Sequence, residues 1–507
     1  MQKFKIKSLY LALVAAVSSV GIANTVNAAV HLSGNGLGQV LIYPYYTTRA
    51  GMNTYLSVLN TTASAKALKV HFSEGMNGRK VLDFHLYLPP HDMWTAAIVN
   101  TANGAKLVTA DKSCTAPQLP ADGKEFVNFE FSGAIVEGIN QSGGDGETAS
   151  LDRTREGYFE IIEMGTVTNA SINAAISQVG GTPANCAVVQ ASTMDMGPNS
   201  LLEVGGQSAK ADQPTGGLAG TASLINVTGG TVYGYEPTVL EAFAPSLVQN
   251  IWDRAGSNYP DMTYAELTSM VISGGSVVSS NWNHGEDAVS ALLMHDSIIN
   301  EFVLDSATLS GTDWVITMPT KQHYAPVQKP ALAQDSAQLY SPFTQKFWTG
   351  GACEIVGGSY QYQFSSFWNR EGQDIGYVDF GNPTPGGGTY LCWGVNVVTF
   401  NNHYVLGSVN GINIPIDFEN GWLRMEFDAI HTYPFNSQIN GNGHFHHNAS
   451  QSITSVNGDT YIGLPTIGFM VQDFINQNAA PGVMATYGGN FNHKYTTSIT
   501  NSPLKPM

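Results

Sequence analysis

Charged residues are scarce in this chain. Asp, Glu, Lys and Arg make up 12% of its 507 residues, and an ordinary soluble protein carries roughly twice that share. Gly, Ser, Thr and Asn fill the polar positions instead, which is typical of exported β proteins because their turns need Gly and Asn. The shortage of charge also argues against long solvent-facing helices.

Enzyme motifs are absent as well. The chain contains no GxSxG and no HExxH segment, so the common serine-hydrolase and zinc-protease signatures are excluded. The glycine-rich PTPGGGTY at 383–390 lacks the Lys-Ser/Thr that completes a phosphate-binding loop. We interpret this segment as a turn.

Glu160 and Glu163 are the carboxylates that most invite a hydrolase interpretation. Glycoside hydrolysis needs two carboxylates on either side of one sugar ring. Residues three apart on a strand point to opposite faces, so these two cannot form that pair with each other. We therefore interpret them as part of a charged strand face.

The N-terminus has the pattern of a secretory signal peptide. Lys3, Lys5 and Lys7 precede an apolar run over residues 9–17, and small residues end at Ala28. The apolar run is shorter than the about 20 residues of a spanning helix. We predict a signal peptide over 1–28 and a secreted, cell-surface or periplasmic mature chain without a transmembrane helix.

The excess of acidic residues limits which partners this chain can bind. The net charge of the full chain is −17, and removal of three signal-peptide lysines leaves the mature chain at −20. Such a surface repels nucleic acid and anionic lipid. We predict no nucleic-acid partner and keep cell-surface components, carbohydrate and self-association open.

The four cysteines, Cys114, Cys186, Cys353 and Cys392, predict disulfides in an exported chain. Three pairings are possible. We favour Cys114–Cys186 and Cys353–Cys392, since each pair then lies within one half of the chain. No cysteine belongs to a CxxC motif, which argues against a thiol-redox site.

Alternating apolar and polar residues give the clearest fold signal. In ASAKALKVHF, Leu68, Val70 and Phe72 alternate with Lys69 and His71. KVLDFHLYL at 80–88 continues the pattern, and period-two alternation predicts strands with one apolar face. The chain is therefore predicted to be mainly β, with antiparallel sandwich domains whose hairpins resemble those of immunoglobulin-like domains.

The domain prediction places an N-terminal β-sandwich domain at 29–215 and a second β-rich domain at 216–507. A helical insertion is predicted around 240–305. Within it, APSLVQNIWDRAG at 244–256 has helical spacing, and Thr263 and Glu266 fit a capping box for a second helix. A third helix is predicted from Asp287 to Phe302. The hairpin ASLINVT-GG-TVYGYEP precedes this insertion.

A histidine tract is the strongest metal candidate. His444 and His446 belong to HFHH and would face the same side if this tract formed a strand, and His431 lies upstream, near Asp428. Neutral imidazole is a common ligand for zinc, copper or nickel. The tract lies in a Gly- and Asn-rich segment, so a polar surface loop is the alternative.

Two further groups have both a functional and a structural interpretation. The acidic loop at Asp145 and Glu147, and the NGD at 457–459, offer oxygen ligands for calcium but match no known calcium loop. The eight tryptophans offer sugar-stacking surfaces. Most lie in apolar strand segments, so we predict core packing.

Four segments together resemble a group of uncharacterised exported proteins of Gram-negative bacteria. They are GLGQVLIYPYYT, VLDFHLYLPPHDMWTA, TDWVITMPTKQHY and SSFWNREG. The resemblance spans most of the mature chain and implies an extracytoplasmic location. It carries no activity and no functional residue over to this chain.

The sequence thus favours an exported structural or adhesive β protein without catalytic activity. A carbohydrate- or metal-binding module is the alternative, marked by an exposed aromatic platform or by converging His431, His444 and His446. An exported hydrolase is a further alternative, marked by paired carboxylates in a cleft.

Overall fold

Extended strands far outnumber helices in this protein. A computed structural model describes residues 29–133, 145, 147–194, 211–324, 341–343, 364–379, 391–427 and 451–501. Within these ranges the chain is mainly β with few helices, as the alternation and the turn-rich composition predict.

Sixteen strands belong to the described part of residues 29–241, which we call the first half. They are β1 His31–Leu32, β2 Val40–Thr47, β3 Asn53–Asn60, β4 Lys66–Glu74, β5 Lys80–Leu88, β6 Met93–Asn100, β7 Ala105–Val108, β8 Thr115–Ala116, β9 Lys124–Glu125, β10 Glu156–Val167, β11 Gln178–Val179, β12 Thr182–Pro183, β13 Ala211–Asp212, β14 Leu218–Asn226, β15 Thr231–Tyr235 and β16 Thr238–Glu241.

The remaining described strands lie in residues 268–501, which we call the second half. They are β17 Thr268–Ser273, β18 Ser276–Asn281, β19 Met294–His295, β20 Ser297–Val303, β21 Gly311–Thr317, β22 Phe364–Asn369, β23 Asp374–Asp379, β24 Val395–Phe400, β25 Gly411–Ile414, β26 Asn420–Glu426, β27 Ser452–Thr454, β28 Asp459–Ile462, β29 Leu464–Pro465, β30 Ile467–Ala480, β31 Val483–Asn492, β32 Lys494–Thr496 and β33 Ser498–Asn501.

The described helices are short. They are α1 Ala170–Ile176, α2 Cys186–Met194, α3 Gly285–Leu293 and α4 Lys321–Tyr324, with 3₁₀ turns at Leu151–Arg155 and Met262–Tyr264. Asn169 caps α1 by accepting hydrogen bonds from the backbone N–H groups of Ser171 and Ile172, as N-cap residues do.

Two sheets form the first half. The larger has the order β1-β16-β2-β10-β4-β5-β8, with β13 also paired to β10, and the smaller has the order β15-β14-β3-β6-β7-β9. Strand β14 pairs with β3, and β16 pairs with β2. The sheets of the first half therefore continue past residue 215, where we predicted the domain boundary.

The predicted hairpin at residues 222–235 is confirmed by β14 and β15, which pair from Ala222↔Tyr235 to Asn226↔Thr231. Gly230 in its turn has φ of 71°, a backbone conformation that glycine adopts without steric cost.

Two five-stranded sheets dominate the second half. Their orders are β23-β22-β26-β20-β32 and β25-β24-β21-β30-β31. Smaller sheets pair β17 with β18, β19 with β29, and β28 with both β27 and β33. Apart from the parallel pair β24–β25, the strand pairs within these described sheets are antiparallel. An immunoglobulin-like topology stays a prediction.

One core joins sheets from both halves. Leu68 and Val70 of the larger first sheet pack in the same cluster as Leu56 and Trp94 of the smaller one, which is sandwich packing. Val315, Val397, Phe469 and Val471 of the second half belong to this cluster too. The two halves are thus packed against each other through apolar side chains.

A buried carboxylate also links the halves. Glu156 is 1% exposed and accepts hydrogen bonds from Arg49 Nε at 2.8 Å and from the Tyr45 hydroxyl at 3.0 Å. From the second half, the Ser408 hydroxyl donates at 2.6 Å and the Val409 N–H at 2.9 Å. Because these donors surround one charge, both halves are tied to the same atoms.

The prediction of a helix over residues 245–256 is wrong. This stretch is irregular, because its groups bond to the larger first sheet instead. The Ile251 N–H donates to the Met164 carbonyl at 2.9 Å, and Trp252 is buried against Tyr87, with ring centroids 5.7 Å apart.

The other two predicted helices meet different outcomes. At the predicted capping box there is only the short 3₁₀ turn, and its N-cap is Asp261, whose side chain accepts from the Thr263 N–H. The third predicted helix is partly confirmed, since α3 ends at Leu293 and the strands β19 and β20 occupy the rest of the predicted range.

Candidate functional site

Exposed apolar side chains, most of them aromatic, lie along the last strand of the β25-β24-β21-β30-β31 sheet. Val483, Tyr487 and Phe491 lie four residues apart on β31 and are 51%, 58% and 54% exposed. Tyr495, four residues further on in β32, is 55% exposed. We call these four residues the aromatic edge. Large apolar side chains exposed in a row mark interaction surfaces.

Strand β31 pairs with a neighbouring strand on one side only. It is the last in its sheet, and no other strand of the described residues pairs with its outer side. Strand β15 packs against its middle, since a Cβ at Gly488 would lie 3.2 Å from the Val232 carbonyl oxygen. The Phe491 carbonyl accepts from the Asn300 side chain at 3.2 Å, so the open part lies towards the turn. No charged residue occurs between Phe474 and Asn492, although natural edge strands are usually protected by charge or proline.

A cavity of about 220 Å³ lies beside the end of this edge. Pro44 and the loop Glu236–Pro237 line it from the first half, and β20, β30 and β32 line it from the second half. It is therefore a pocket between the two halves, a position where ligand sites often occur.

The cavity has an apolar floor and a polar mouth. Buried Leu293, Ile298, Ile316 and Phe469 form the floor. Exposed Glu236, Asn492 and Tyr495 lie at the mouth, together with Leu32. Gly468 allows the close approach at the floor, because a Cβ there would lie 1.9 Å from the Val315 carbonyl oxygen.

Hydrogen bonds hold the His493 imidazole in one tautomer. Its Nε2 donates to the Val315 carbonyl at 2.9 Å, so its Nδ1 accepts from the Asn300 amide at 3.1 Å. Burial lowers the pKa of His493 to about 4. Both nitrogens are therefore engaged, and the ring is neutral at pH 7.

The second imidazole of the cavity stacks on the aromatic edge. His295 and Tyr495 have ring centroids 4.0 Å apart and an interplanar angle of 24°. Burial lowers the pKa of His295 to about 4, so this ring is neutral as well. Among the residues that the structure describes, the lining contains no Ser or Cys, has Thr238 and Thr466 as its aliphatic hydroxyl side chains, and has Glu236 as its one carboxylate. The arrangement suits binding better than acid–base or nucleophilic chemistry.

The predicted polar face of β4 and β5 is buried rather than solvated. Lys69 and His85 are 0% exposed and His71 is 7% exposed, because residues 245–264 cover this side of the sheet. Lys69 Nζ lies 2.5 Å from the Asp83 carboxylate and donates to the Ser257 carbonyl of this covering segment. The sequence alternation placed these residues correctly on one face but not their burial.

Burial dominates the electrostatics of this covered face. It lowers the pKa of His71 and of His85 to about 3 and lowers the pKa of the Lys69 ammonium despite the Asp83 carboxylate beside it. Burial alone would raise the pKa of Asp83, but Lys69 and Lys80 hold it below its usual value. The face therefore carries one compensated ion-pair group and neutral imidazoles.

Glu160 and Glu163 do not form a charged strand face, because both are buried. Glu163 lies 2.7 Å from Lys66 Nζ and accepts from the Gly216 N–H at 2.7 Å. Glu160 lies opposite His71 in the sheet register, and its Oε1 has no hydrogen-bond partner among the described residues. Burial raises the pKa of Glu160 to about 8. The two carboxylates contact different groups, so they are not a hydrolase pair.

The predicted metal ligands His431, His444 and His446 lie outside the described residues, as does Asp428. Across the described ranges, no group of three His, Cys, Asp or Glu side chains is arranged to hold a metal ion.

One predicted disulfide is confirmed. Cys114 and Cys186 are bonded, and their Cα atoms lie 5.2 Å apart. Cys392 is disulfide-bonded too, and its predicted partner Cys353 lies outside the described residues. The first disulfide fastens the start of α2 to the end of the larger first sheet, next to β8.

Protein donors occupy the carboxylates of the two predicted calcium loops. Asp145 binds Arg153 through Nη1 at 2.9 Å and Nη2 at 2.6 Å. Asp459 accepts from the Ser280 hydroxyl at 2.7 Å and from the Asn457 amide at 2.9 Å. Glu147 contributes its N–H to Asp145. These groups tie segments of the chain together.

Most of the described tryptophans pack in the core, as predicted. The buried ones are Trp94, Trp252, Trp282, Trp314 and Trp393. Trp368 and Trp422 are half-buried and stack on each other, with centroids 3.9 Å apart. Because each ring covers one face of the other, the pair is not an open sugar-stacking platform.

No protein-family model matches this chain, and neither a curated protein nor a solved structure matches it. None of the helices in the described ranges is long and apolar enough to cross a membrane.

Neither the cavity nor the aromatic edge was predicted from the sequence. The cavity lining comes from segments between Leu32 and Tyr495, so no local motif marks it. The edge was detectable, since Val483, Tyr487, Phe491 and Tyr495 recur every four residues in a stretch almost free of charge. An even spacing places such residues on one side of an extended chain.

Proposed function

We propose that this protein is an exported structural or adhesive β protein without catalytic activity, and that it self-associates through its aromatic edge. The observation that carries the proposal is the unpaired, uncharged strand β31 with its exposed Val483, Tyr487 and Phe491. Exposed edge strands of this kind accept a further strand.

A second copy of this chain fits the edge better than an acidic or basic partner. The chain carries a net charge of −17, so copies repel each other over most of their surface. The stretch from Phe474 to Asn492 carries no charge, which removes this repulsion locally. Two antiparallel copies of β31 related by a twofold axis would present the same residues to each other.

Two other features support export and a non-catalytic role. The Cys114–Cys186 disulfide is of the kind that persists in oxidising compartments, in line with the predicted signal peptide. In the cavity, His493 uses both ring nitrogens to bond to protein groups, which leaves it no free nitrogen for proton transfer.

The test is the oligomeric state of mature protein comprising residues 29–507. Sedimentation velocity across about 1 to 100 µM should show reversible dimers or larger species. Tyr487→Lys and Val483→Lys place charges on the edge and should yield monomers, because two copies would then bring like charges together. Both side chains are more than half exposed, so the variants should keep the fold.

Tyr404→Lys is the matched control, since Tyr404 is 48% exposed and lies away from β31. It should associate like the unmodified protein. A protein that stays monomeric at 100 µM, or edge variants that associate as strongly as the control, would show the proposal to be wrong.

A further inference from the structure

The volume of the cavity between the halves limits the size of the ligand that can occupy it. Apolar protein cavities of roughly 150 Å³ accept a benzene-sized molecule. The cavity of about 220 Å³ has room for a phenyl ring and a short linker of two or three further atoms. Its floor of Leu293, Ile298, Ile316 and Phe469 offers apolar contacts on several sides.

The charge at the cavity mouth determines which charge is favoured on the polar end of a ligand. Glu236 is the one residue of the lining that carries a formal charge at pH 7, because burial lowers the pKa of both His295 and His493 to about 4. Within the described residues, Glu236 makes no ion pair. A cation placed there would therefore gain a partner, whereas an anion would be repelled.

The neutral groups at the mouth suit a hydrogen-bond donor as well. The Asn492 amide oxygen and the Tyr495 hydroxyl oxygen can accept hydrogen bonds, and both residues are exposed. An ammonium group has three N–H donors and no acceptor. It would match these oxygens and the Glu236 carboxylate together.

From this geometry we infer that the cavity binds a primary amine that carries a phenyl-sized apolar group. The ring occupies the apolar floor, and the ammonium lies at the mouth beside Glu236. The cavity shares Tyr495 with the aromatic edge, whereas the proposed self-association uses β31 with its Val483, Tyr487 and Phe491.

The test compares two probes that share a ring and differ in charge, phenethylamine and 3-phenylpropionate. Isothermal titration calorimetry at pH 7 with the mature protein should give a Kd about tenfold lower for the amine, since one partly screened charge contact accounts for such a ratio. Glu236→Lys reverses the charge at an exposed position and should invert the preference between the two probes.

Glu301→Lys is the matched control, because Glu301 is exposed and lies outside the cavity lining. It should keep the preference for the amine. Equal binding of the two probes, binding of neither, or an unchanged preference in Glu236→Lys would overturn the inference. Thermal unfolding of each variant confirms that the protein is folded in the titration.

A free aromatic amine and the N-terminus of a peptide share this chemistry. Phenylalaninamide carries the same ring and ammonium on a peptide-like body. A Kd below that of phenethylamine would identify a peptide N-terminus as the source, and a higher Kd would identify a free amine. The Glu236→Lys comparison tests the site itself in either case.

Discussion

Glu160 is a buried carboxyl group whose protonation makes the free energy of unfolding depend on pH. It lies opposite His71 across β10 and β4. Within the described part of the chain, neither its Oε1 nor either nitrogen of His71 has a hydrogen-bond partner. Two neutral groups can remain unbonded at a moderate cost, whereas an unpaired charge there would be far more costly.

The sign of the resulting pH dependence follows from the shifted pKa of Glu160. The folded protein holds the proton up to a pKa of about 8, and the ordinary value is 4.5. Between these values the unfolded chain releases a proton that the folded protein keeps, so stability falls as pH rises through this window. His71 acts in the opposite direction and below pH 6.5.

We therefore expect Glu160→Gln to gain stability relative to the unmodified protein as the pH rises from 5 to 8. The relative gain should be on the order of 2 kcal/mol or more, since a pKa unit corresponds to about 1.4 kcal/mol. Urea unfolding at pH 5, 6.5 and 8 measures it. Glu301→Gln serves as the exposed control, and a pH-independent difference for Glu160→Gln would contradict the prediction.

At the scale of elements, alternation predicted the strands well where both strand faces are defined by the sequence. The strands at 66–74, 80–88 and 156–167 follow their predicted segments closely. Alternation reports which residues share a face, but it does not report what covers that face. Lys69 and His71 were therefore placed correctly on one face, whereas the segment that buries them was not predicted.

For the helix predicted at 245–256, the sequence pattern indicated the wrong element. Its apolar residues have helical spacing, but Ile251 and Trp252 satisfy their contacts against β10 and β5 instead. Local propensity is a weak prior that tertiary contacts override. The covering segment could not be recognised without the sheet that it covers.

The stacked tryptophans are a cross-strand pair that should stabilise the β23-β22-β26-β20-β32 sheet. Trp368 and Trp422 lie directly opposite each other on β22 and β26. A double-mutant cycle with Trp368→Ala and Trp422→Ala should give a coupling of about 1 kcal/mol. Urea unfolding of the four proteins measures it. A coupling close to zero would mean that each ring contributes only its own burial.

At the scale of the whole molecule, the two halves behave as one packed unit. Val315, Val397 and Phe469 of the second half share a core with Leu68 and Trp94 of the first. The sequence suggested separate domains, because turn-rich segments such as 205–220 resemble linkers. The cavity lies where the halves meet, so it could not be predicted before their packing was known.

This packing predicts a single cooperative unfolding transition for the described sheets. Glu156→Ala should shift that whole transition and lower the free energy of unfolding by about 3 kcal/mol, because the buried Tyr45 and Ser408 hydroxyls would lose their charged acceptor and Arg49 would keep only Asp152 as an ionic partner. Calorimetry and near-ultraviolet circular dichroism measure the transition. Two separate transitions, with only one displaced by Glu156→Ala, would contradict the shared core.

The pairing of β1 with β16 also has a kinetic consequence. His31 lies opposite Glu241, so the larger first sheet cannot be completed until strands far apart along the chain have met. Closing such long loops before any contact is rewarded makes folding slow. During that time β2, β4 and β10 expose unpaired edges, and aggregation competes with folding. Yield on refolding should therefore depend strongly on protein concentration.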